Sequence, residues 1–227
     1  MPSLTIENYV KTIYQIGLQQ GNRPAATGQL ATSLGVSPGT VTSMLKTLDE
    51  SGLARYTPYE GVQLTDSGRA LALRVLRRHR LIELFLSHTL DLSWDEVHAE
   101  AENMEHAVSD RLIDRMDEFL GFPSSDPHGD PIPRADGTVA SGSHRSLAEW
   151  PVGTDFRLVR VLEQNPEFLR YLSEIGLPLG AEGIVMANRP EADVVTLKLS
   201  HVDATISRQV AEKLLVAAPS DPPPGAG

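Results

Sequence analysis

The sequence contains no cysteine among its 227 residues. A chain without cysteine forms no disulfide and no thiolate metal site, so a metal bound here would have oxygen and imidazole ligands. No apolar run approaches the length of a membrane span, and no charged, apolar and small-residue signal opens the chain. These absences predict a cytoplasmic protein that does not enter a membrane.

Basic residues are in the minority, and they are unevenly distributed. The whole chain has a formal net charge of −10. Residues 1–80 nevertheless hold nine basic and five acidic residues, whereas residues 81–227 hold eleven basic and twenty-five acidic residues. The amino-terminal third can therefore approach phosphate groups while the remainder repels them.

The amino-terminal third has the pattern of a winged helix-turn-helix. Apolar residues at helical spacing predict a helix over residues 4–20, and two more helices follow in "TGQLATSLGV" and "SPGTVTSMLKTLDESGL". Ser37 is a good N-cap for the third helix, and Pro38 suits its first position. "ARYTPYEGVQLT" then predicts two short strands around a turn. This order of elements is typical of a DNA-binding domain.

The third helix would enter the major groove by its amino-terminal turn. Small hydroxyl residues there can bond phosphates or base edges, but no Arg, Asn or Gln occupies the tip. DNA shape and phosphate contacts should therefore supply much of the affinity. The alternatives are a helical hairpin that only packs and a winged helix that contacts protein. The DNA-binding candidates are Thr27, Ser37, Pro38, Gly39, Thr40, Thr42, Ser43 and Lys46.

The rest of the chain predicts two long helices and then a small β domain, which makes the fold mainly α with small β parts. "DSGRALALRVLRRHRLIELFLSHTL" is one long helix and residues 93–120 are another. The Pro-, Gly- and Ser-rich segment after them is a linker or an ordered loop. Short strand patterns and a helix in "PEFLRYLSEIG" then indicate an SH3-like β-barrel. The predicted segments are a winged helix-turn-helix at 1–73, a helical domain at 74–121, a linker at 122–150, an SH3-like domain at 151–217 and a disordered tail at 218–227.

Two groups of histidine and glutamate fall on consecutive predicted helices. In "HAEAENMEH" (residues 98–106) most of them share one arc beside an apolar stripe, at about 100° per residue. His79 and Glu83 are four residues apart on the preceding helix, and antiparallel packing would bring them near His98. Imidazole and carboxylate ligands suit Mn²⁺, Fe²⁺, Zn²⁺ or Co²⁺. The pattern predicts one metal cluster of His79, Glu83 and His98 and a second of Glu102, Glu105 and His106.

The chain resembles the diphtheria toxin repressor family of metal-dependent bacterial transcriptional repressors, and most of all its manganese-responsive branch. The match covers nearly all of residues 4–217. It is carried by "VSPGTVTSMLKTLDESGL", "LTDSGRALA", "RRHRLIELFL", "WDEVHAEAENMEH" followed by "SDRL", and "GFPSSDPHGDPIP". The resemblance implies a homodimer that binds double-stranded operator DNA, a third domain that is SH3-like (FeoA-like), two metal positions per chain and control of metal-ion homeostasis genes.

The resemblance also implies a ligand set for each metal position. One site uses His79, Glu83 and His98, and some members complete it from the third domain, where Glu163, Gln164 and Glu167 are available. The other site uses Glu102, Glu105 and His106 together with Asn8.

Departures from the family pattern bear on the metal. Iron-responsive members usually have cysteine at the position of Glu102 and methionine at that of Asn8. Oxygen in place of sulfur favours Mn²⁺, with Fe²⁺ or another divalent transition metal as the alternative. Manganese-responsive members commonly have aspartate where this chain has Asn8, and some have an acid where it has Lys11. The neutral amide of Asn8 predicts reduced metal affinity or activation, and Lys11, which binds no metal when charged, argues against a binuclear site that involves the first helix.

The favoured hypothesis is a repressor that a metal activates. In it, a metal held by Asn8 and the residues around His106 positions the DNA-binding helices. One alternative is a winged-helix regulator that senses a small molecule without a functional metal. Another is a metal-dependent hydrolase, which we disfavour because the ligands border a packing stripe and no nucleophile motif is present. We therefore predict that the protein is not an enzyme.

Overall fold

The computed structural model describes residues 3–140, 142, 144–200 and 203–221. The chain folds into two compact units: residues 1–78 with 105–107 and 133–138 form the first, and residues 79–104, 108–132 and 139–227 form the second. No helix within the described residues is long and apolar enough to cross a membrane. Most of the predicted disordered tail, residues 222–227, lies outside the described residues.

The first unit contains the predicted winged helix-turn-helix. Ser37 caps α3 as expected, because its Oγ accepts a hydrogen bond of 3.2 Å from the backbone N–H of Thr40, and Pro38 is the first residue of the helix. Gly35 ends α2 in the left-handed region at φ +65°. The elements are α1 (Leu4–Gln19), α2 (Thr27–Leu34), α3 (Pro38–Glu50), β1 (Ala54–Thr57), β2 (Gly61–Leu64) and the first half of α4 (Asp66–Leu90).

The core of this unit fixes which face of α3 is exposed. The apolar side chains of Val41, Leu45 and Leu48 are completely buried, beside Val10 of α1 and Leu30 of α2. Their spacing of three and four residues places them along one stripe of α3. The opposite stripe, which carries most of the predicted DNA-binding residues, is therefore turned toward solvent.

The prediction of one helix over residues 93–120 is wrong. The structure has α5 (Val97–Met104) and α6 (Asp110–Phe119), with a turn between them. Ser109 starts the new helix, because its Oγ accepts a hydrogen bond of 3.3 Å from the N–H of Leu112. A serine inside the apolar pattern thus acts as a cap, and Glu105 and His106 lie in the turn rather than on the helix.

The second unit ends in one antiparallel sheet of six strands in the order β3-β8-β4-β5-β6-β7. The predicted strands and the helix in "PEFLRYLSEIG" are confirmed, whereas the short strands β3 and β8 were not predicted. The elements are β3 (Arg145–Ser146), β4 (Asp155–Val161), α7 (Pro166–Glu174), β5 (Glu182–Arg189), β6 (Val194–Leu199), β7 (Asp203–Ser207), α8 (Arg208–Glu212) and β8 (Leu214–Ala217), with 3-10 turns at Leu147–Glu149 and Pro190–Ala192.

The segment around His128 is an ordered loop that packs on β4. The carbonyl of His128 accepts a hydrogen bond of 2.9 Å from the N–H of Val161. Gly129 has φ +84°, and a Cβ there would lie 2.1 Å from the carbonyl oxygen of Val159. Only glycine permits so close an approach in this conformation. The loop therefore holds the His128 side chain in the interior of the second unit, where it is completely buried.

Candidate functional site

The first predicted metal cluster is assembled in the second unit, and we call His79, Glu83 and His98 the His79 cluster. The Nε2 of His79 lies 2.9 Å from the Oε1 of Glu83 and 3.2 Å from the Nδ1 of His98. That Nδ1 lies 3.0 Å from the same Oε1. Neighbouring ligands of a metal with bonds of about 2.1 Å are themselves separated by about 3 Å. The three atoms therefore fit a single divalent cation.

Glu102 lies beside the same cluster within this unit. Its Oε1 is 3.7 Å from the Nδ1 of His79 and 3.9 Å from the Nε2 of His98. The carboxylate thus faces the outer edges of the two imidazole rings. The resemblance assigns it to the other metal position, together with Asn8.

The structure adds a third group that the sequence did not reveal: Glu83, Asp126 and His128, here called the His128 cluster. The Nδ1 of His128 lies 3.8 Å from the Oε2 of Glu83 and 3.9 Å from the Oδ1 of Asp126. All three side chains are buried, and one ligand atom from each can be chosen so that all lie within 4.8 Å of one another. Glu83 belongs to both clusters of this unit, with Oε1 in one and Oε2 in the other.

Three atoms of the His128 cluster have no hydrogen-bond partner among the described residues: the Oε2 of Glu83, the Oδ2 of Asp126 and the Nδ1 of His128. Buried polar atoms are normally satisfied, because leaving one unpaired costs about 1–3 kcal/mol. A cation beside Glu83 and His128 would pair with the first and third of these atoms, whereas the Oδ2 of Asp126 lies 3.7 Å from the Nε of Arg80. The donor set of two carboxylates and one imidazole fits such a cation.

A backbone contact orients His128 for this role. Its Nε2–H donates a hydrogen bond of 2.7 Å to the carbonyl oxygen of Trp94, which leaves Nδ1 toward the two acids. The Trp94 ring stacks on the imidazole with a centroid separation of 6.3 Å. A hydrogen bond that fixes the tautomer is the usual support of a metal-binding histidine.

The pKa values of these groups reflect burial and crowding of charge. Burial, followed by the charges of Asp130 and Glu83, raises the pKa of Asp126 to about 7. Burial lowers the pKa of His128, but the carboxylates of Glu83 and Asp126 outweigh it and raise the value to about 8. Burial also raises the pKa of Glu83, and the charge of His79 and contacts with the three histidines bring it well below its usual range. The cluster therefore attracts positive charge.

The residues expected to complete the first site from the third domain lie elsewhere within the second unit. Gln164 donates a hydrogen bond of 3.1 Å to Asp130, and Glu163 lies 3.5 Å from the Nζ of Lys213. Glu167 is exposed in the first turn of α7. Among the residues described, neither Glu163 nor Glu167 joins a group of potential metal ligands.

The other predicted metal position is partly assembled in the first unit, where Asn8, Glu105 and His106 form what we call the His106 cluster. The Nε2 of His106 lies 2.7 Å from the Oδ1 of Asn8 and 3.2 Å from the Oε1 of Glu105. Three atoms with lone pairs face one another at these distances. Either a second proton on the imidazole or a cation would satisfy them, and the donor set fits a hard divalent cation.

Glu7 supports this cluster, and the sequence analysis missed it. Its Oε2 accepts a hydrogen bond of 2.7 Å from the Nδ1–H of His106, which leaves Nε2 toward Asn8. Carboxylates that hold the far side of a ligating imidazole are common in metal sites. Glu7 is adjacent to Asn8 in the sequence, and this could have indicated a shared role. Its partner His106, however, lies 99 residues further along the chain.

Two basic side chains accompany the same cluster. The Nζ of Lys11 lies 2.6 Å from the Oε1 of Glu105, and a guanidinium nitrogen of Arg78 lies 3.7 Å from the Oε1 of Glu7. Both basic side chains are buried. The acids of the His106 cluster are therefore paired with cations from the chain itself.

The predicted DNA-contacting residues of α3 are exposed, except Thr42, which is half-buried like Thr27 of α2. The hydroxyls of Thr42 and Ser43 donate to carbonyl oxygens one turn earlier, at 2.9 and 3.1 Å. Because these hydroxyl protons are donated to backbone carbonyls of α3, a DNA phosphate would instead contact the amino-terminal end of α3 and the exposed Lys46. This arrangement favours phosphate contacts over base readout.

Comparisons with known proteins agree with this geometry. The family model "Iron dependent repressor, N-terminal DNA binding domain" matches residues 1–62. "Iron dependent repressor, metal binding and dimerisation domain" matches residues 65–134, and "FeoA domain" matches residues 145–218. The three matches follow one another in the order of the winged helix, the metal clusters and the six-stranded sheet.

Individual relatives extend over most of the chain. The diphtheria toxin repressor of Corynebacterium efficiens is 31% identical, over 78% of this chain and 81% of the relative. The iron-dependent repressor IdeR of Mycobacterium leprae is 29% identical, over 93% and 96%. A solved structure titled as a manganese-dependent transcriptional repressor in complex with manganese has a TM-score of 0.83 and 38% identity, and the match covers 94% of this chain and 99% of the other. The chain belongs to the diphtheria toxin repressor family of metal-dependent transcriptional repressors.

Proposed function

We propose that a divalent cation, with Mn²⁺ as the best fit, switches on operator binding by a homodimer of this chain, which thereby controls metal-ion homeostasis genes. The observation that carries the proposal is the convergence of imidazole, carboxylate and amide atoms, without thiolate, in the His79 and His106 clusters. Such ligand sets suit Mn²⁺ and Fe²⁺. Relatives named for iron and a similar structure holding manganese support the same pair of metals.

The residues that would hold the cations follow from the contacts. His79, Glu83 and His98 would hold one, and Asn8, Glu105 and His106 would hold another. Glu102 joins the second set on the resemblance alone. We add Asp126 and His128 as candidate ligands that share Glu83 with the His79 cluster. The bound metal would supply concentrated positive charge that neutralises buried carboxylates and ties segments together.

The His106 cluster provides a route by which metal binding changes the affinity for DNA. Asn8 lies on α1, which packs against α2 of the helix-turn-helix. Glu105 and His106 lie in the turn that leads from α5 to α6. A cation held by all three would order α1 and hence the placement of α3. A coupling free energy of about 1–3 kcal/mol corresponds to a change of about 5- to 150-fold in operator affinity.

Exposed apolar side chains support the homodimer. Leu112 and Phe119 of α6 and the adjacent Phe122 are 46%, 65% and 59% exposed. Large apolar side chains that are exposed close together in the sequence are common where a protein forms an interface. The family model that matches residues 65–134 is described as a dimerisation domain. A two-fold dimer would place two recognition helices about 34 Å apart, one helical turn of DNA.

The test is a gel-shift selection from sheared genomic DNA with chelator-stripped protein, with and without Mn²⁺. We expect fragments that are retained only with Mn²⁺, which also defines the operator. Retention that is equal in both conditions would overturn metal gating and favour a regulator that senses a small molecule. Metal-dependent turnover of generic ester substrates would instead favour a hydrolase.

A pair of histidine variants tests the site. His106→Ala should keep the fold but lose the response of DNA binding to Mn²⁺, because it removes the atom shared by Asn8 and Glu105. His88→Ala is the matched control, since His88 is exposed on α4. Operator binding by His106→Ala that depends on Mn²⁺ as in the wild type would contradict the assignment. Glu102→Ala tests the ligand inferred from the resemblance in the same way.

A further inference from the structure

Lys11 is a buried lysine in contact with a buried glutamate. The residue is 5% exposed, and the Glu105 carboxylate 2.6 Å away is completely buried. Lysine is almost never buried without a partner, because removing an ammonium from water is costly. Lys11 of the first helix thus pairs with a residue that lies 94 positions further along the chain. Its aliphatic stem and its charge are both used inside the unit.

The contact occupies an atom that a metal would also use. The Oε1 of Glu105 lies 2.6 Å from the Nζ of Lys11 and 3.2 Å from the Nε2 of His106. The ammonium and a divalent cation held by His106 would therefore approach one carboxylate oxygen. Like charges at such separations repel strongly in a partly dry environment.

The surrounding charges already balance without a metal. Glu105 pairs with Lys11, and Glu7 lies near Arg78, while Asn8 is neutral. A divalent cation entering this group meets two acids and two bases. In the second unit, the Oε2 of Glu83 has no hydrogen-bond partner among the described residues, whereas Asp126 lies 3.7 Å from the guanidinium of Arg80.

We propose that the Lys11 ammonium is an internal cation of the His106 cluster and that it raises the metal concentration at which this cluster binds a divalent ion. The ammonium neutralises Glu105 in the metal-free protein, and a divalent cation binds against its charge. The cluster therefore accepts one metal ion only at a raised concentration. This inference rests on the proposed function in one respect, namely that the cluster binds a divalent cation.

The test compares Lys11→Gln and Lys11→Met with the parent in a Glu83→Gln background, which disables the two clusters that share Glu83. Glutamine keeps an N–H donor for Glu105 and removes only the charge, whereas methionine also removes the donor. Both variants should bind Mn²⁺ at least about tenfold more tightly in equilibrium dialysis with metal analysis. Lys198→Met, which removes an exposed surface charge, is the control and should match the parent.

A second readout needs no metal. The melting temperature of the chelator-stripped protein should fall in Lys11→Met, because Glu105 loses its counter-charge. It should recover in Lys11→Met/Glu105→Gln, because both charges are then absent. Unchanged or weaker Mn²⁺ affinity in Lys11→Gln, or an unchanged melting temperature in Lys11→Met, would overturn the inference. These measurements use no DNA, so a failure of the proposed repressor function would leave them interpretable.

Discussion

The metal clusters of the two units neutralise their carboxylates in different ways. In the second unit, Glu83 is completely buried among three histidines, and its Oε2 has no hydrogen-bond partner among the described residues. In the first unit, Glu105 is equally buried but pairs with Lys11. Glu83 thus lies against imidazoles, which carry charge only when protonated, whereas Glu105 lies against a lysine ammonium.

Metal binding should therefore affect the order of the two units to different extents. Among the described residues, Glu83 pairs with imidazoles, whereas Asp126 lies 3.7 Å from the guanidinium of Arg80, so a metal ion there would chiefly neutralise Glu83 and add to stability. The His106 cluster gains less, because a metal replaces a neutralisation that already exists. We expect the second unit to be the part of the chain that chelation loosens most. Hydrogen exchange with and without Mn²⁺ would show this as lost protection near His79 and His128.

The largest effect should come from Glu83→Gln, which removes the carboxylate that both clusters of the second unit share. Both clusters of the second unit lose a charged ligand, so we expect the loss of their metal from equilibrium dialysis at micromolar Mn²⁺. Trp94 stacks on His128, so in a Trp150→Phe background its fluorescence should no longer respond to Mn²⁺. The His106 cluster should still bind its single ion when the Mn²⁺ concentration is raised.

Glu100→Gln is the matched control for that experiment, because Glu100 is exposed on the same helix as His98. It should bind as much Mn²⁺ as the wild type. Retention of all bound metal by Glu83→Gln would show that Glu83 is a structural acid and not a ligand. The comparison between the units would then fail.

Local patterns in the sequence were enough to predict most of the elements and one cluster. Ser37, Pro38 and Gly35 mark helix ends by rules that need only neighbouring residues. His79 and Glu83 form a pair on one helix face, and a short connection brings His98 back to them. Each of these inferences depends on spacing along a single helix or between consecutive helices.

The rest required knowledge of tertiary contacts. Glu7 and Lys11 find their partners more than ninety residues away, and no periodicity encodes that pairing. Asp126 and His128 lie in a loop rich in proline and glycine, where the sequence predicts only irregular structure. The cap at Ser109 interrupts an apolar pattern that otherwise reads as one helix. The side chains that the sequence did not reveal are therefore those whose partners depend on long-range contacts or on the path of a loop.

A smaller effect is expected from Glu7→Gln, which tests whether Glu7 orients His106 and does not remove a metal ligand. The Nδ1–H of His106 keeps an oxygen acceptor but loses the charged one. Loss of such a supporting carboxylate typically weakens metal binding by about 10- to 100-fold. Mn²⁺ affinity of the His106 cluster should fall within this range, as measured by dialysis in the Glu83→Gln background.

Glu174→Gln provides the control, because Glu174 is exposed at the end of α7. It should leave Mn²⁺ affinity unchanged. An equal effect of both substitutions would mean that general charge, and not orientation of His106, accounts for the loss.

The smallest effect should come from Asn8→Asp, which makes the His106 cluster more like the clusters of the second unit. The Oδ1 of Asn8 lies 2.7 Å from the Nε2 of His106, and a carboxylate there adds one negative charge at the same position. We expect Mn²⁺ affinity to rise by about tenfold, because a carboxylate is a stronger ligand for a hard cation than a neutral amide.

Asn165→Asp is the matched control for this substitution, because Asn165 caps α7 through its side-chain oxygen and aspartate caps equally well. Its Mn²⁺ affinity should equal that of the parent. If Asn8→Asp also leaves the affinity unchanged, position 8 contributes no ligand, and Glu105 and His106 must bind any metal without α1. If the affinity rises only when Lys11 is also replaced by glutamine, the Lys11 ammonium pairs with the carboxylate introduced at position 8. The internal cation, and not the missing acid, would then be what distinguishes the two units.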